Sequence, residues 1–468
     1  MMKKWKKWVA SIVVSFSMVV VPVGMASAAS AVQTLLYGAA TMALAKQQLN
    51  KMDMAGQKKM LASTQAKTGV LKEEGYSDRL ESIQKNIVHT GMIKRDYDVY
   101  ANPSEELNAF ETIGGVISVN KGMMDVLDDD ELAFTLCHEM QHGEKKHAIN
   151  GVLKSIGIST LIDVALGGNA DLLDILLGSV AVNYIDNEVV TMDQEKQADA
   201  LGFNVFKNTS YNVGGAAASM QFIYEKYGDL YTEGFKRVIS PNNHPQMSSR
   251  IQKLAGRMSQ WSGNHVQVGG DMVYVNALPV VRPAVSGDYS SRRRAFLVAG
   301  NLARVTHNVY GEAPKEDTVV VKPIGAVAPK TIADTNKTAK TVEPAAAEKK
   351  VPSPAVTVAA PPVWSITQSD SDISVNGLRI MTCAAGDDSA AIVKNLTAAL
   401  DAKPMMVSKK EIQKQNKEWT QKYGYKEKDK KDKNKKSAAV KKDTKQDSPK
   451  DTQQQKQSEG QQTPAKAA

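Results

Sequence analysis

The sequence predicts a mainly helical protein with a small β-sheet, an α+β fold, followed by a C-terminal extension of low order. Three observations predict it. Of 468 residues, 42% are hydrophobic but only 6% aromatic, so a core can form and must be aliphatic. One core seldom grows past about 250–300 residues, so the remainder is a second unit or unfolded. The third observation is where the charge sits. From Lys409 onward there are 18 Lys against 9 acidic residues, which is the entire net charge of +9. The body is therefore neutral to slightly acidic, and a basic domain that coats nucleic acid is excluded.

The N-terminus reads as an export signal. Lys3, Lys4, Lys6 and Lys7 precede an apolar run at 9–21, and Ala26-Ser27-Ala28 supplies the small residues at which a signal peptidase cuts. The run is too short to span a bilayer core of about 30 Å comfortably, and no Cys marks a lipid attachment site. Residues 1–28 are expected to be removed. The mature chain should be periplasmic or extracellular, soluble or peripherally attached.

The main domain is expected over 29–260. Residues 32–64 lack Pro and are rich in Ala, Leu, Met, Gln and Lys, a helical composition. Residues 96–101 form a strand closed by Asn102-Pro103. Residues 108–120 form a second extended segment bent at Gly114-Gly115, with Val116, Ile117 and Val119 as strand formers. Asp128-Asp129-Asp130-Glu131 should start a helix, because carboxylates suit the free N–H groups there; Leu132, Leu136 and Met140 make its apolar face. The apolar stretch 149–184 is interrupted by Asp163, Asn169, Asp171 and Asp174, which favours packed helices over a membrane hairpin. More helices are expected at 192–207, 215–226 and 246–258.

A β-hairpin across Gly269-Gly270 and a helix at 292–307 make an extension, 261–312. An Ala/Pro-rich linker follows at 313–362. Residues 363–403 read as a small α/β piece, too short to hold a core alone and expected to dock on another part. Residues 404–468 read as a disordered Lys-rich tail. No internal repeat is evident. Two cysteines, Cys137 and Cys383, exclude a disulfide framework and leave one bridge open.

The chemistry is concentrated in His138-Glu139-Met140-Gln141-His142. Positions four apart on a helix differ by about 40° around the axis, so both imidazoles project from one face and can share an ion. Glu139 lies about 100° round, placed for the ion's water rather than the ion. Position 145 is Lys and position 148 is Ala, so the extended HExxHxxGxxH spacing is absent. A third ligand from another helix is the alternative, and Glu195 supplies it. Asp199, one turn on, can accept the outer N–H of His138 or His142. His147, counted along the same helix, falls on a different face and is expected at the surface.

These strings, with Asn108-Ala-Phe, Gly114-Gly115, Ile117, Val119 and Gly122 before them and His244-Pro245 with Arg250-Ile251 after them, resemble metallopeptidase family forty-eight. That is the zinc endopeptidase family of HtpX and the CAAX prenyl proteases, here its soluble exported branch. Ile113 stands where the family often has Pro. The resemblance implies a zincin-like gluzincin domain with one Zn2+ per chain held by His138, His142 and Glu195. It implies peptide-bond hydrolysis with Glu139 as general base. His244 or Arg250 is a candidate second donor to the oxyanion, and His244 is also a candidate for the open zinc position. The segment Gly115, Val116, Ile117, Ser118, Val119 is a candidate strand to pair with an extended substrate. The expected partners are unfolded or extended polypeptides, with anionic envelope polymers or lipid headgroups as partners of the Lys-rich tail. Protein quality control in the envelope fits this reading. The competing one is an envelope scaffold or chaperone-like protein with little or no proteolysis.

Overall fold

A computed structural model describes residues 28–155, 191–229, 246–314 and 362–425. The expected signal, the apolar stretch beyond Ser155, His244-Pro245, the linker and the end of the tail lie outside these. The described residues are mainly helical, with three small three-stranded sheets.

Helix α1 (Ala28–Ala55) and α2 (Gln57–Thr68) replace the single helix expected at 32–64; the break is at Gly56. Helix α3 (Glu74–His89) was not foreseen, although Leu80, Ile83 and Ile87 repeat at helical spacing and are buried. The first sheet has β1 (Asp98–Asn102), β2 (Ala109–Thr112) and β3 (Val116–Asn120) in the order β1-β3-β2. Gly114 and Gly115 make the β2–β3 turn at φ of 92° and 70°, where only glycine is unstrained. Asp53 of α1 accepts the Gly114 N–H at 2.8 Å and pairs with Arg95 at 3.0 Å, which pins that turn.

One expectation falls here. The predicted substrate strand, Gly115 to Val119, is the middle strand: β3 pairs parallel with β1 and antiparallel with β2, and all five of its residues are buried. Both edges of its main chain are used, so it has none to offer an incoming peptide. Among the described residues β2 pairs only with β3. Sequence patterning marks a strand but not its place in the sheet, which depends on where β1 comes to lie.

A short helix α4 (Lys121–Met124) leads into α5 (Asp129–Glu144), the central helix of the domain. As expected, it starts at the acidic run: Asp128 accepts from the Glu131 N–H while Glu131 accepts from the Asp128 N–H, a reciprocal cap. Helix α6 (His147–Ser155) follows after Lys146, whose φ of 55° ends α5. Helices α7 (Met192–Phe206) and α8 (Gly215–Tyr227) pack on α5, with Phe134 against Phe206 at 5.6 Å, and α9 (Met247–Trp261) packs on α7 and α8.

The C-terminal extension, expected to be of low order apart from a hairpin, a helix and a small α/β piece, is ordered where it is described, and it is a repeat. Strands β4 (Val266–Gly269), β5 (Met272–Val275) and β6 (Leu278–Val281) precede α10 (Ser291–Tyr310). Strands β7 (Ile366–Ser369), β8 (Asp372–Val375) and β9 (Leu378–Thr382) precede α11 (Ser389–Leu400). The registers coincide at an offset of 100 residues: Val266↔Val275 and Ile366↔Val375, Val275↔Leu278 and Val375↔Leu378, with a bulge at Val273/Tyr274 and at Ile373/Ser374. Helix α10 packs on β4 and β5 of its own unit and also on β9 of the second, while α11 packs mainly on β6 and β5 of the first, so the two units share one core. Val-Asn-x-Leu is the longest string shared by both sequences, too little to declare a repeat. Cys137 and Cys383 are both free.

The tail was expected to be disordered from residue 404, yet it forms α12 (Lys409–Tyr423). Its lysines face outward, whereas Asn416 and Trp419 are buried and the Asn416 side chain accepts the Gly270 N–H at 3.0 Å. Cutting the chain after Pro314 should therefore destabilise it rather than trim a spare end. Ile373, Val375, Ile380, Leu396 and Leu400 are each almost fully buried, and each such side chain contributes about 1.5–3 kcal/mol. Calorimetry should show a lower and broader transition for the shortened chain. An unchanged transition would mean that the second unit is not part of the fold.

Candidate metal centre

Two helices build the site. Helix α5 brings His138, Glu139 and His142; α7 brings Glu195 and Asp199. They come this close because of Gly202, where a Cβ would stand 3.2 Å from the His138 backbone. The donor atoms converge: Nε2 of His138 and of His142 are 3.1 Å apart. Glu195 Oε2 is 3.5 Å from the first and Oε1 is 3.6 Å from the second. Ligands at about 2.0–2.1 Å from a tetrahedral ion stand about 3.3–3.4 Å from one another, so this triangle has the size a zinc ion requires. A His, His, Glu donor set is also one that zinc accepts with a position left over.

The electrostatics describe a cation site. Burial pulls the His138 pKa down, but Asp199 and Glu195 outweigh it and push it up to about 10. Burial and the charge on His138 take His142 to about 3. Burial works against ionisation of Glu195, yet His138 and Arg250 hold it well below the usual carboxylate range. In metal-free protein the carboxylates thus draw one proton onto the two rings, which a metal ion would replace. Glu139 differs. Burial, with Glu195 nearby, raises it to about 7 against the pull of His138. Its Oε2 accepts the Glu111 N–H of β2 at 3.0 Å.

Asp199 Oδ1 lies 3.0 Å from Nδ1 of His138, on the ring's far side from the donor triangle. Arg250 was considered for the oxyanion, but its Nε and Nη2 bind both oxygens of Asp199, at 2.8 and 2.7 Å. Its Nη1 stands 3.4 Å from Glu195 Oε2. The guanidinium is thus committed to holding two carboxylates in place. His244 lies outside the described residues. His147 is not at the surface but 2% exposed, with Nδ1 3.1 Å from Nδ1 of His142 and Nε2 2.9 Å from Gln197 Oε1. Counting from His142 assumed one continuous helix. The left-handed turn at Lys146 starts a new one and swings His147 back over the ligand. The Glu111 contact was also missed, since nothing in a strand's sequence tells which helix lies against its main chain.

The family model of Peptidase family M48 matches residues 77–258. Metalloprotease LoiP of Escherichia coli (strain K12) is 26% identical over 167 residues, 35% of this chain and 63% of LoiP. Metalloprotease YcaL of the same strain is 28% identical over 195 residues, 40% of this chain and 72% of YcaL. A protease HtpX homolog of Salinibacter ruber is 30% identical over 190 residues, 33% of this chain and 67% of its own length. The chain spans less than two thirds of LoiP, and its C-terminal units fall outside the matched family region. With the matched region holding His138, His142 and Glu195, and the HtpX homolog matched across two thirds of its length, the chain belongs to peptidase family M48, a family of metallopeptidases.

Proposed function

We propose that this protein is a zinc-dependent endopeptidase of the cell envelope that cuts unfolded or extended polypeptides, in protein quality control. The observation that carries the proposal is the His138, His142, Glu195 triangle with the Glu139 carboxyl beside it. Zinc held there would supply a Lewis acid for the scissile carbonyl and a water of lowered pKa. The chain's own residues do the rest. With Oε2 engaged by the Glu111 N–H, Glu139 has Oε1 for the proton of the attacking water and passes it to the leaving amine. In the metal-free protein burial raises this carboxyl to about 7, and a cation in the triangle would pull it back toward the ionised form that a base needs. Arg250 and Asp199 fix Glu195 and His138. The same Glu111 contact lays β2 along the site, so a substrate in extended form would run beside β2, which replaces β3 in this role, with the Glu111 N–H kept for Glu139.

The envelope location rests on the signal-like N-terminus; among the described residues no helix is long and apolar enough to cross a membrane. The Lys-rich end is assigned to anionic envelope polymers or lipid headgroups on charge alone. Purified protein should hold about one zinc per chain by elemental analysis. Replacing His138, His142 or Glu195 by Ala should abolish it. Stoichiometric zinc in Glu195→Ala would place the third ligand elsewhere and overturn the site.

A further inference from the structure

We propose that Gln197 and His147 form a relay that sets the tautomer of His142 and so the affinity of the site for its metal. The inference rests on the zinc reading above and concerns residues that do not touch the metal. Three atoms lie in series: Gln197 Oε1 is 2.9 Å from His147 Nε2, and His147 Nδ1 is 3.1 Å from His142 Nδ1. An amide oxygen only accepts, so His147 donates from Nε2. Two ring nitrogens facing each other at 3.1 Å share one proton, because two N–H groups head to head would clash. His147 therefore accepts at Nδ1 and His142 donates from its own Nδ1. That leaves the His142 lone pair on Nε2, the atom aimed at His138 and Glu195. The opposite arrangement is equally consistent with two imidazoles alone: with the proton on His147 Nδ1, His142 would carry N–H on Nε2 and could not ligate. The Gln197 oxygen breaks the tie.

The relay comes from chain close to the ligands, five residues after His142 and two after Glu195. Gln197 follows Glu195 by two positions on α7, and His147 opens α6 directly after the left-handed Lys146. His147 is held edge-on to His142, at 4.9 Å between ring centres and 81° between planes, so its lone pair rather than its face meets the ligand. His142 thus has in His147 what His138 has in Asp199, a partner behind the ring, but a neutral one whose polarity is set one residue further out. Such partners typically change metal affinity 10–100-fold. They do so by excluding the wrong tautomer, not by adding a ligand.

The test is zinc affinity, measured by competition with a chromophoric chelator on the full-length mature protein, in His147→Leu, His147→Gln, Gln197→Met and Gln197→Glu. His147→Leu fills the space but cannot accept a proton, and Kd should rise about 10–100-fold. His147→Gln can turn its amide oxygen to His142 and should recover most of the loss. At exposed Gln197 the Met variant, which has no acceptor, should weaken binding, whereas Glu should keep it. A residue that only fills space predicts the reverse at 147, with Leu at least as good as Gln in a buried site. If His147→Leu fails to fold, the exposed Gln197 pair decides alone. Wild-type protein that binds zinc with the same Kd as both His147→Leu and Gln197→Met overturns the relay and leaves the zinc site standing. Wild-type protein that binds no zinc overturns the proposed function, and the relay with it.

Discussion

Glu139→Gln is expected to keep its zinc, its fold and its thermal transition while losing about 10²–10⁴-fold in turnover of an unfolded substrate such as casein. The amide has nearly the shape of the carboxylate, and its oxygen can still accept the Glu111 N–H, which Oε2 of Glu139 accepts at 3.0 Å. It cannot take a proton from water. Glu139 stands off the donor triangle formed by His138, His142 and Glu195, so metal content should not follow activity. This separation is what distinguishes a peptidase from an envelope scaffold that happens to hold zinc. The decisive version uses a deletion strain. If zinc-loaded Glu139→Gln protein rescues it fully while hydrolysing nothing, proteolysis is not the function.

The second large effect is expected far from the metal. Arg293 of α10 and Glu131 of α5 are both completely buried and paired in a two-pronged contact, Nε to Oε1 at 2.6 Å and Nη2 to Oε2. The guanidinium also donates to the Val126 carbonyl and lies over the rings of Tyr289, at 4.0 Å, and Phe222, at 4.6 Å. Removing one partner strands a charge without water, and Arg293→Met should cost about 3–5 kcal/mol. Glu131 is the third residue of α5 and half of its cap, so the loss is applied to the helix that carries His138 and His142. The pair Glu131→Gln with Arg293→Met should recover much of the stability, because it leaves no buried charge unpaired. If the two losses in chemical denaturation simply add, the pair is not coupled and the C-terminal units do not brace the peptidase helix through it.

Arg293 has neighbours that behave alike. Arg292, Arg293 and Arg294 are consecutive, about 100° apart around α10, and all three are buried. Arg292 reaches Asn416 and stacks on Trp419 of α12, Arg293 reaches α5, and Arg294 reaches Asp387 and the Thr382 carbonyl of the second repeat. The three arginines are the joint at which α5, the second repeat and α12 meet.

The sequence by itself determined what depends on neighbours along the chain. Asp128 and Glu131 close their cap within four residues, so the start of α5 was legible. So was the sharing of one face by His138 and His142, which needs only 3.6 residues per turn. The spacing of Glu195 and Asp199, one turn apart, was legible for the same reason, and so were Gly114-Gly115 as a bend and the hairpin across Gly270. What only the tertiary structure decided depends on parts of the chain that meet from a distance. One non-helical residue, Lys146, turned His147 from a surface residue into the partner of a ligand. The arrival of β1 beside β3 closed both edges of β3. Arg250 found Asp199 across 51 residues and was lost to the oxyanion. Trp419 found Arg292 and made a helix part of the fold where a lysine count read disorder. A carboxylate or guanidinium carries the same charge wherever it stands; its task is set by which opposite charge is buried with it, and local spacing holds no record of that.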